Sequence, residues 1–260
     1  MPRIISVANQ KGGVGKTTTA VNLSTALAMA GRPTLLVDLD PQCNATSGLG
    51  CSTSSKPNIR HYLLDPEIVA MWTEETQTKG LHLLPGSPRL IEIEQTLEHA
   101  QDKGRRLTKA FGFLNTEFHF IIVDCPPSLG TLTMNALFAS DSVIIPIQCE
   151  YFAMEGLSRI TQAIKHVARQ KGGKLEIEGI LMTMYDSKLQ LAQEVTDEVK
   201  SFFGDLVYNA IVPRDVALSE APSHGVSVFD YALRSKGANA YIELAREVLK
   251  HGKATGQGAE

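Results

Sequence analysis

Residues 3–19, RIISVANQKGGVGKTTT, join a run of apolar and β-branched residues to three closely spaced glycines, a lysine and three threonines. A buried strand that runs through a glycine-rich turn into a helix wraps backbone N–H groups around an anion at the helix N-terminus. Gly12, Gly13 and Gly15 let the backbone approach a phosphate without Cβ clashes. In such a loop Lys16 reaches the β- and γ-phosphates of a nucleotide, and the Thr17 hydroxyl faces Mg²⁺. The strict G-x-x-x-x-G-K-T pattern is broken, because Gln10 stands at its first glycine. The run also holds a second lysine, Lys11, at the loop entry. From there its side chain projects away from the phosphates, toward whatever faces the loop. If a second copy of the chain stands there, Lys11 reaches the partner's nucleotide.

The remainder of the 260 residues alternates strand and helix without an internal repeat. Strand-like runs lie at 3–8, 34–40, 81–86, 118–127, 142–148, 177–186 and 206–215, and a helix is expected over 15–30, stopped by Gly31. Continuous apolar stretches such as FIIV and VIIPI fit strands covered on both faces. The expected architecture is therefore α/β: a mostly parallel sheet with helices on both faces, a P-loop fold. Residues 1–250 read as one domain and 251–260 as a flexible polar tail. Pro, Asn, Ser, Thr and Gly crowd residues 41–57, which read as a mobile loop.

Composition narrows the partners. The net charge is −3, and residues 151–260 carry 13 Lys+Arg against 14 Asp+Glu, so any nucleic-acid contact must come from a local patch or from its repetition in an oligomer. Cys43, Cys51, Cys125 and Cys149 form no C-x-x-C pair and read as reduced, mostly buried thiols of a cytoplasmic protein. No apolar run approaches 18 residues and no signal peptide precedes the first strand, so a soluble, intracellular chain with no membrane contact is expected.

Three acids end apolar strands on the edge where α/β folds bind ligands. Asp124 closes FIIVD as a metal-holding acid does, carrying Mg²⁺ through water. Asp38 and Asp40 close TLLVDLD, where either could instead cap the turn at Pro41.

KGGVGKTTT, together with LLVDLDPQCNATSGLG, IIVDCPPSLG, IPIQCEYFAMEGL and IVPRDVALSEAPSHG, resembles the ParA/Soj family of deviant Walker-A partition ATPases, from residue 3 to about 248. The resemblance implies ATP and Mg²⁺ as cofactors, held by Lys11, Gly12, Gly13, Val14, Gly15, Lys16, Thr17 and Thr18. It implies catalysis by Asp40, which orients the attacking water, with Lys11 and Lys16 on the phosphates and Asp38 supporting the metal shell around Thr17 and Asp124. Lys11 would cross the interface of an ATP-bound homodimer. Pro213 and Asp215 match adenine-contacting positions, although relatives usually carry Asn at Asp215, and VPRD also reads as a plain structural turn.

The resemblance further implies non-specific DNA binding on the nucleoid through Lys188, Arg234 and Lys236, and a ParB-like partner that stimulates a weak ATPase. Each of these three side chains also reads as an ordinary solvated one. Residue 217 is Ala where relatives often carry Arg or Lys, which removes one phosphate contact. Rival classes share the loop. A MinD-like membrane ATPase would end in a basic amphipathic helix, whereas this chain ends HGKATGQGAE. An iron–sulfur carrier would need a bridging cysteine pair. A scaffold that only binds ATP differs in activity alone. With no extension before the first strand, the chain resembles the short, Soj-like type. Positioning of a protein cargo, such as a receptor array or compartment, by the same ATPase cycle is the alternative function.

Overall fold

A computed structural model of the chain describes residues 1–54, 57–66, 72–98, 102, 104–114 and 118–254. Eight strands form one sheet: β1 (Arg3–Val7), β2 (Thr34–Asp38), β3 (Glu74–Glu75), β4 (Leu81–Leu84), β5 (Phe120–Asp124), β6 (Ser142–Gln148), β7 (Glu176–Tyr185) and β8 (Val207–Pro213). Their order across the sheet is β3-β4-β2-β5-β1-β6-β7-β8. Every pairing is parallel except β3 with β4. The sequence did not announce β3. It is two glutamates long, and its charge and brevity blunt an edge that would otherwise invite pairing.

The helices are α1 (Lys16–Met29), α2 (Asn44–Gly48), α3 (Ile59–Leu64), α4 (Leu90–Glu98), α5 (Arg106–Phe111), α6 (Thr131–Ala139), α7 (Ala153–Gln170), α8 (Gln190–Phe203), α9 (Val216–Glu220), α10 (Val228–Ala232) and α11 (Lys236–Ala254). Strand residues alternate between two cores because successive side chains leave a strand on opposite faces. Leu36, Ile122, Ile144 and Leu181 pack with Leu23 and Leu27 of α1 and Tyr241, Leu244 and Val248 of α11. Leu35, Val37, Ile121, Val123 and Ile145 pack with Leu132 of α6, Leu157 and Ile160 of α7 and Val195 and Val199 of α8. Burial on both faces accounts for the continuous apolar runs.

Two expectations change. Residues 41–57 hold α2, with Ala45 and Thr46 buried, so part of the expected mobile loop is an anchored helix. Its Asn-Ala-Thr-Ser-Gly composition favours turns, but Asp38 of β2 accepts from the Thr46 N–H and hydroxyl at 2.8 and 2.6 Å and holds it. At the other end α11 runs to Ala254, four residues into the expected tail, and 255–260 lie outside the described residues.

Chain order reverses at β1, which pairs with β5 on one side and β6 on the other. Loops that leave the C-terminal ends of these strands diverge there and open a crevice, the usual ligand position in such sheets.

Candidate active site

The glycine loop leaves β1 braced from below. Asn9 donates to the Pro146 carbonyl on β6 at 2.8 Å and accepts from the Lys11 N–H at 3.0 Å. Gly13 and Gly15 have φ of 73° and 84°, a left-handed backbone that side-chain-bearing residues avoid. Gly15 then starts α1 with no side-chain cap, so the first-turn N–H groups keep their positive end for an anion. The Thr183 hydroxyl on β7 lies 2.8 Å from the Val14 carbonyl and 2.9 Å from that of Ile147, tying the loop to the sheet. Lys16 is buried, and its ammonium donates to the Lys11 carbonyl at 3.0 Å across the loop. Burial lowers its pKa, opposed by the charges of Asp124 and Asp40.

Asp38 and Asp124 are register partners on β2 and β5, and both are fully buried. They differ in what satisfies them. Asp38 spends one oxygen on Thr46 and the other on the Asp40 N–H at 3.3 Å. Neither oxygen of Asp124 has a hydrogen-bond partner, and the Thr17 hydroxyl faces it without closing a bond of standard geometry. Burial, then the Asp38 charge, raises the Asp124 pKa well above the carboxylate range. Asp38 is pushed up to about 6 by burial, against the pull of its Thr46 bonds. An orphaned buried carboxylate next to a threonine and a phosphate loop fits a divalent cation. Asp38, also expected beside the metal, has both oxygens accepting hydrogen bonds, from Thr46 of α2 and from the Asp40 N–H. Asp40 lies past the end of β2 and is buried at 6% exposure, with one oxygen accepting from the Gln42 N–H at 2.9 Å.

A cavity of about 490 Å³ runs from the loop toward the end of β8. Gly12, Gly13, Gly15, Lys16, Thr17 and Thr18 line one end, with Asp40 and Pro127 beside them. Met184, Val212, Pro213, Leu218 and Tyr241 give the other end an apolar wall. A charged end and a flat apolar end suit a nucleoside polyphosphate. Met184 holds φ 49°, an uncommon conformation for a side-chain-bearing residue, at the cavity wall. Asp215 also lines this end, but its carboxylate accepts from the N–H of Ala217 at 3.0 Å and of Gly237 at 2.7 Å. It caps α9 and anchors the start of α11 while also lining the cavity.

Lys11 stands at the rim, its ammonium paired with Glu150. Lys188, Arg234 and Lys236 are exposed. Lys188 follows the end of β7, where the Arg214 N–H donates to the Tyr185 carbonyl, and Lys236 precedes the Gly237 held by Asp215. Lys188 thus lies beyond β7 and Arg214, which is exposed and which the sequence did not single out, beyond β8, whereas Arg234 follows α10 and Lys236 opens α11. Asn9, Thr46, Thr183, Met184 and Tyr241 were also missed. All but Met184 act through a partner distant in sequence, as when Tyr241 of α11 meets Thr19 of α1 at 3.1 Å.

Strand, glycine loop, capless helix and acid-ended neighbouring strand define a P-loop nucleotide-binding fold. Residues 2–177 match the family model described as an AAA domain. The chain is 47% identical over 249 residues to the chromosome partitioning protein ParA of Myxococcus xanthus, covering 95% of this chain and 88% of that one. It is 46% identical over 253 residues to the sporulation initiation inhibitor protein Soj of Bacillus subtilis, covering 97% and 100%. A solved structure of cobyrinic acid a,c-diamide synthase from Mycobacterium smegmatis, with bound ATP analog and magnesium, matches with a TM-score of 0.84 at 35% identity, covering 98% and 97%. The chain belongs to the ParA/Soj family of partition ATPases. Among the described residues no helix is long and apolar enough to cross a membrane.

Proposed function

We propose that this chain is a Mg²⁺-dependent ATPase switch that dimerises on ATP, holds DNA without sequence preference and lets go after hydrolysis. The observation that carries the reading is the division of labour between two lysines. Lys16 is buried over the phosphate loop, while Lys11 extends from the rim to the surface.

The first-turn N–H groups of α1 and the Lys16 ammonium bind the β- and γ-phosphates. Thr17 and Asp124 would hold Mg²⁺, which neutralises charge on the phosphate oxygens when bound. Asp40 keeps a carboxylate oxygen for orienting a water molecule, the step that phosphoryl transfer most depends on. The apolar wall from Met184 to Tyr241 takes the base. Lys11 reaches the phosphates held by a second copy, so that two subunits close face to face only when nucleotide is present. Lys188, Arg234 and Lys236 then face one duplex from both subunits, and a ParB-like protein accelerates hydrolysis and release. The ATP-bound form resides on the nucleoid in the cytoplasm.

One observation favours the alternative of a protein cargo. Position 217, in α9, is Ala and not Arg or Lys, and residues 151–260 have no excess positive charge. Retention on random-sequence DNA with a slowly hydrolysed ATP analogue at low salt separates the two. With about six phosphate contacts per dimer, binding should fall with a log–log salt slope near −5. Lys188→Glu and Lys236→Glu should weaken it for all sequences alike, and Ala217→Arg should strengthen it. No retention by the ATP-bound dimer would remove the DNA reading and leave the cargo one.

A further inference from the structure

Lys11 extends to the surface but is already occupied. Its ammonium pairs with the carboxylate of Glu150, 139 residues further along the chain. The two ends of this pair are not equally free. Glu150 follows β6, and its backbone is fixed on both sides: its N–H donates to the Gln148 carbonyl at 2.8 Å, and its carbonyl accepts from Ala153 at 2.9 Å as α7 begins. Lys11 hangs on a four-carbon stem from a glycine loop. Tyr151 and Phe152 follow Glu150, exposed by 79% and 62%, and stack edge to face at 5.1 Å, so the carboxylate sits on an apolar, uncovered lip.

We infer that Glu150 is an intramolecular latch on Lys11, one that sets how much ATP-bound protein is needed before two copies close. The inference rests on the reading of Lys11 as the lysine that crosses to a second copy. While latched, Lys11 satisfies its charge within its own subunit. The polyphosphate of a facing copy carries several negative charges against the single one of Glu150 and displaces it. The side chains of Lys11 and Glu150 are 35% and 48% exposed, which makes the latch weak: an exposed pair of this kind shifts an equilibrium by about 1.4- to 5-fold. A two-fold dimer must open two latches, so the dimer dissociation constant carries the square, about 2- to 30-fold. A latch of that size sets a threshold and does not block assembly.

The test is Glu150→Gln, which keeps the shape and removes the charge at a half-exposed position. Sedimentation with a slowly hydrolysed ATP analogue should show a dimer about 2- to 30-fold tighter than the parent, with the ratio of the two shrinking as salt screens the pair. ATP affinity under dilute, monomeric conditions and the melting temperature should match the parent. An unchanged dimer constant would overturn the latch. So would a weaker dimer, because it would place the Glu150 charge at work between the copies. Lys11→Ala separates the two layers. If Lys11→Ala dimerises like the parent, the crossing lysine itself is wrong. If Lys11→Ala loses the dimer while Glu150→Gln leaves it untouched, only the latch fails.

Discussion

The Lys16 ammonium donates to the Lys11 carbonyl across the phosphate loop at 3.0 Å. The bond ties the two ends of the loop together, and in the proposed reading ATP exchanges it for charge-assisted ones. Lys16→Ala should lower ATP affinity by at least about 10²-fold, since hydrogen bonds to charged groups are among the stronger ones. Calorimetry with Mg-ATP checks it; unchanged affinity would remove the phosphate-loop assignment.

Asp40 is tied to the turn after β2 through its backbone and one oxygen, and its other oxygen accepts no hydrogen bond among the described residues. Asp40→Ala should therefore bind ATP and dimerise, yet hydrolyse it about 10²-fold or more slowly. The dimer would persist, because the step that ends it is gone. Hydrolysis at the parent rate would assign the water to another residue.

The acid pair predicts a pH dependence with a definite sign. Burial raises Asp38 to about 6 and lifts Asp124 well above the usual carboxylate range. A carboxyl raised on folding contributes stability that is full below its unfolded value, near 4, and is lost as pH rises through its folded value. Without metal or nucleotide, the parent should lose stability between pH 4 and pH 7 relative to Asp38→Asn, which has no charge to desolvate. Mg-ATP binding should correspondingly weaken as pH falls, because a proton competes with the cation at Asp124, whose carboxyl burial raises. Thermal melts of both proteins in chelator, and calorimetry across that range, measure the two effects. Parallel melting curves would contradict the assignment.

The glycines of the loop are not equivalent. A Cβ on Gly12 would meet only Pro127, at 4.0 Å, whereas Gly13 has φ 73° and is strained by any side chain. Gly12→Val should thus fold like the parent and fail at the face between two copies, losing the ATP-induced dimer. Gly13→Val should distort the loop and lose ATP binding itself. Equal behaviour of the two variants in dimerisation and ATP binding would deny that Gly12 faces a partner.

What the sequence makes legible is what is local. Gly12 to Thr18 carry loop and helix start within one short run, and Asp124 ends an apolar strand, so the loop end of the cavity and the buried acid beside it can be read directly. Asp38 and Asp40 look alike in TLLVDLD, and only the fold separates them, by giving Thr46 to Asp38. Residues 44–48 read as a turn because Asn, Ser, Thr and Gly favour turns; the helix there exists through the bonds Asp38 accepts from Thr46. Asp215 reads equally as a base contact or a cap, and its bond to Gly237, 22 residues on, is not visible in the chain order. The Lys11–Glu150 pair joins two residues that nothing in the chain order connects.

The central claim is that ATP makes two copies of this chain close through Lys11. The most direct measurement is the mass of the parent and of Lys11→Ala by light scattering, with and without a slowly hydrolysed ATP analogue and Mg²⁺. The parent should pass from monomer to dimer on adding nucleotide, and Lys11→Ala should stay a monomer while still taking up nucleotide. A Lys11→Ala dimer of parent affinity would contradict the account.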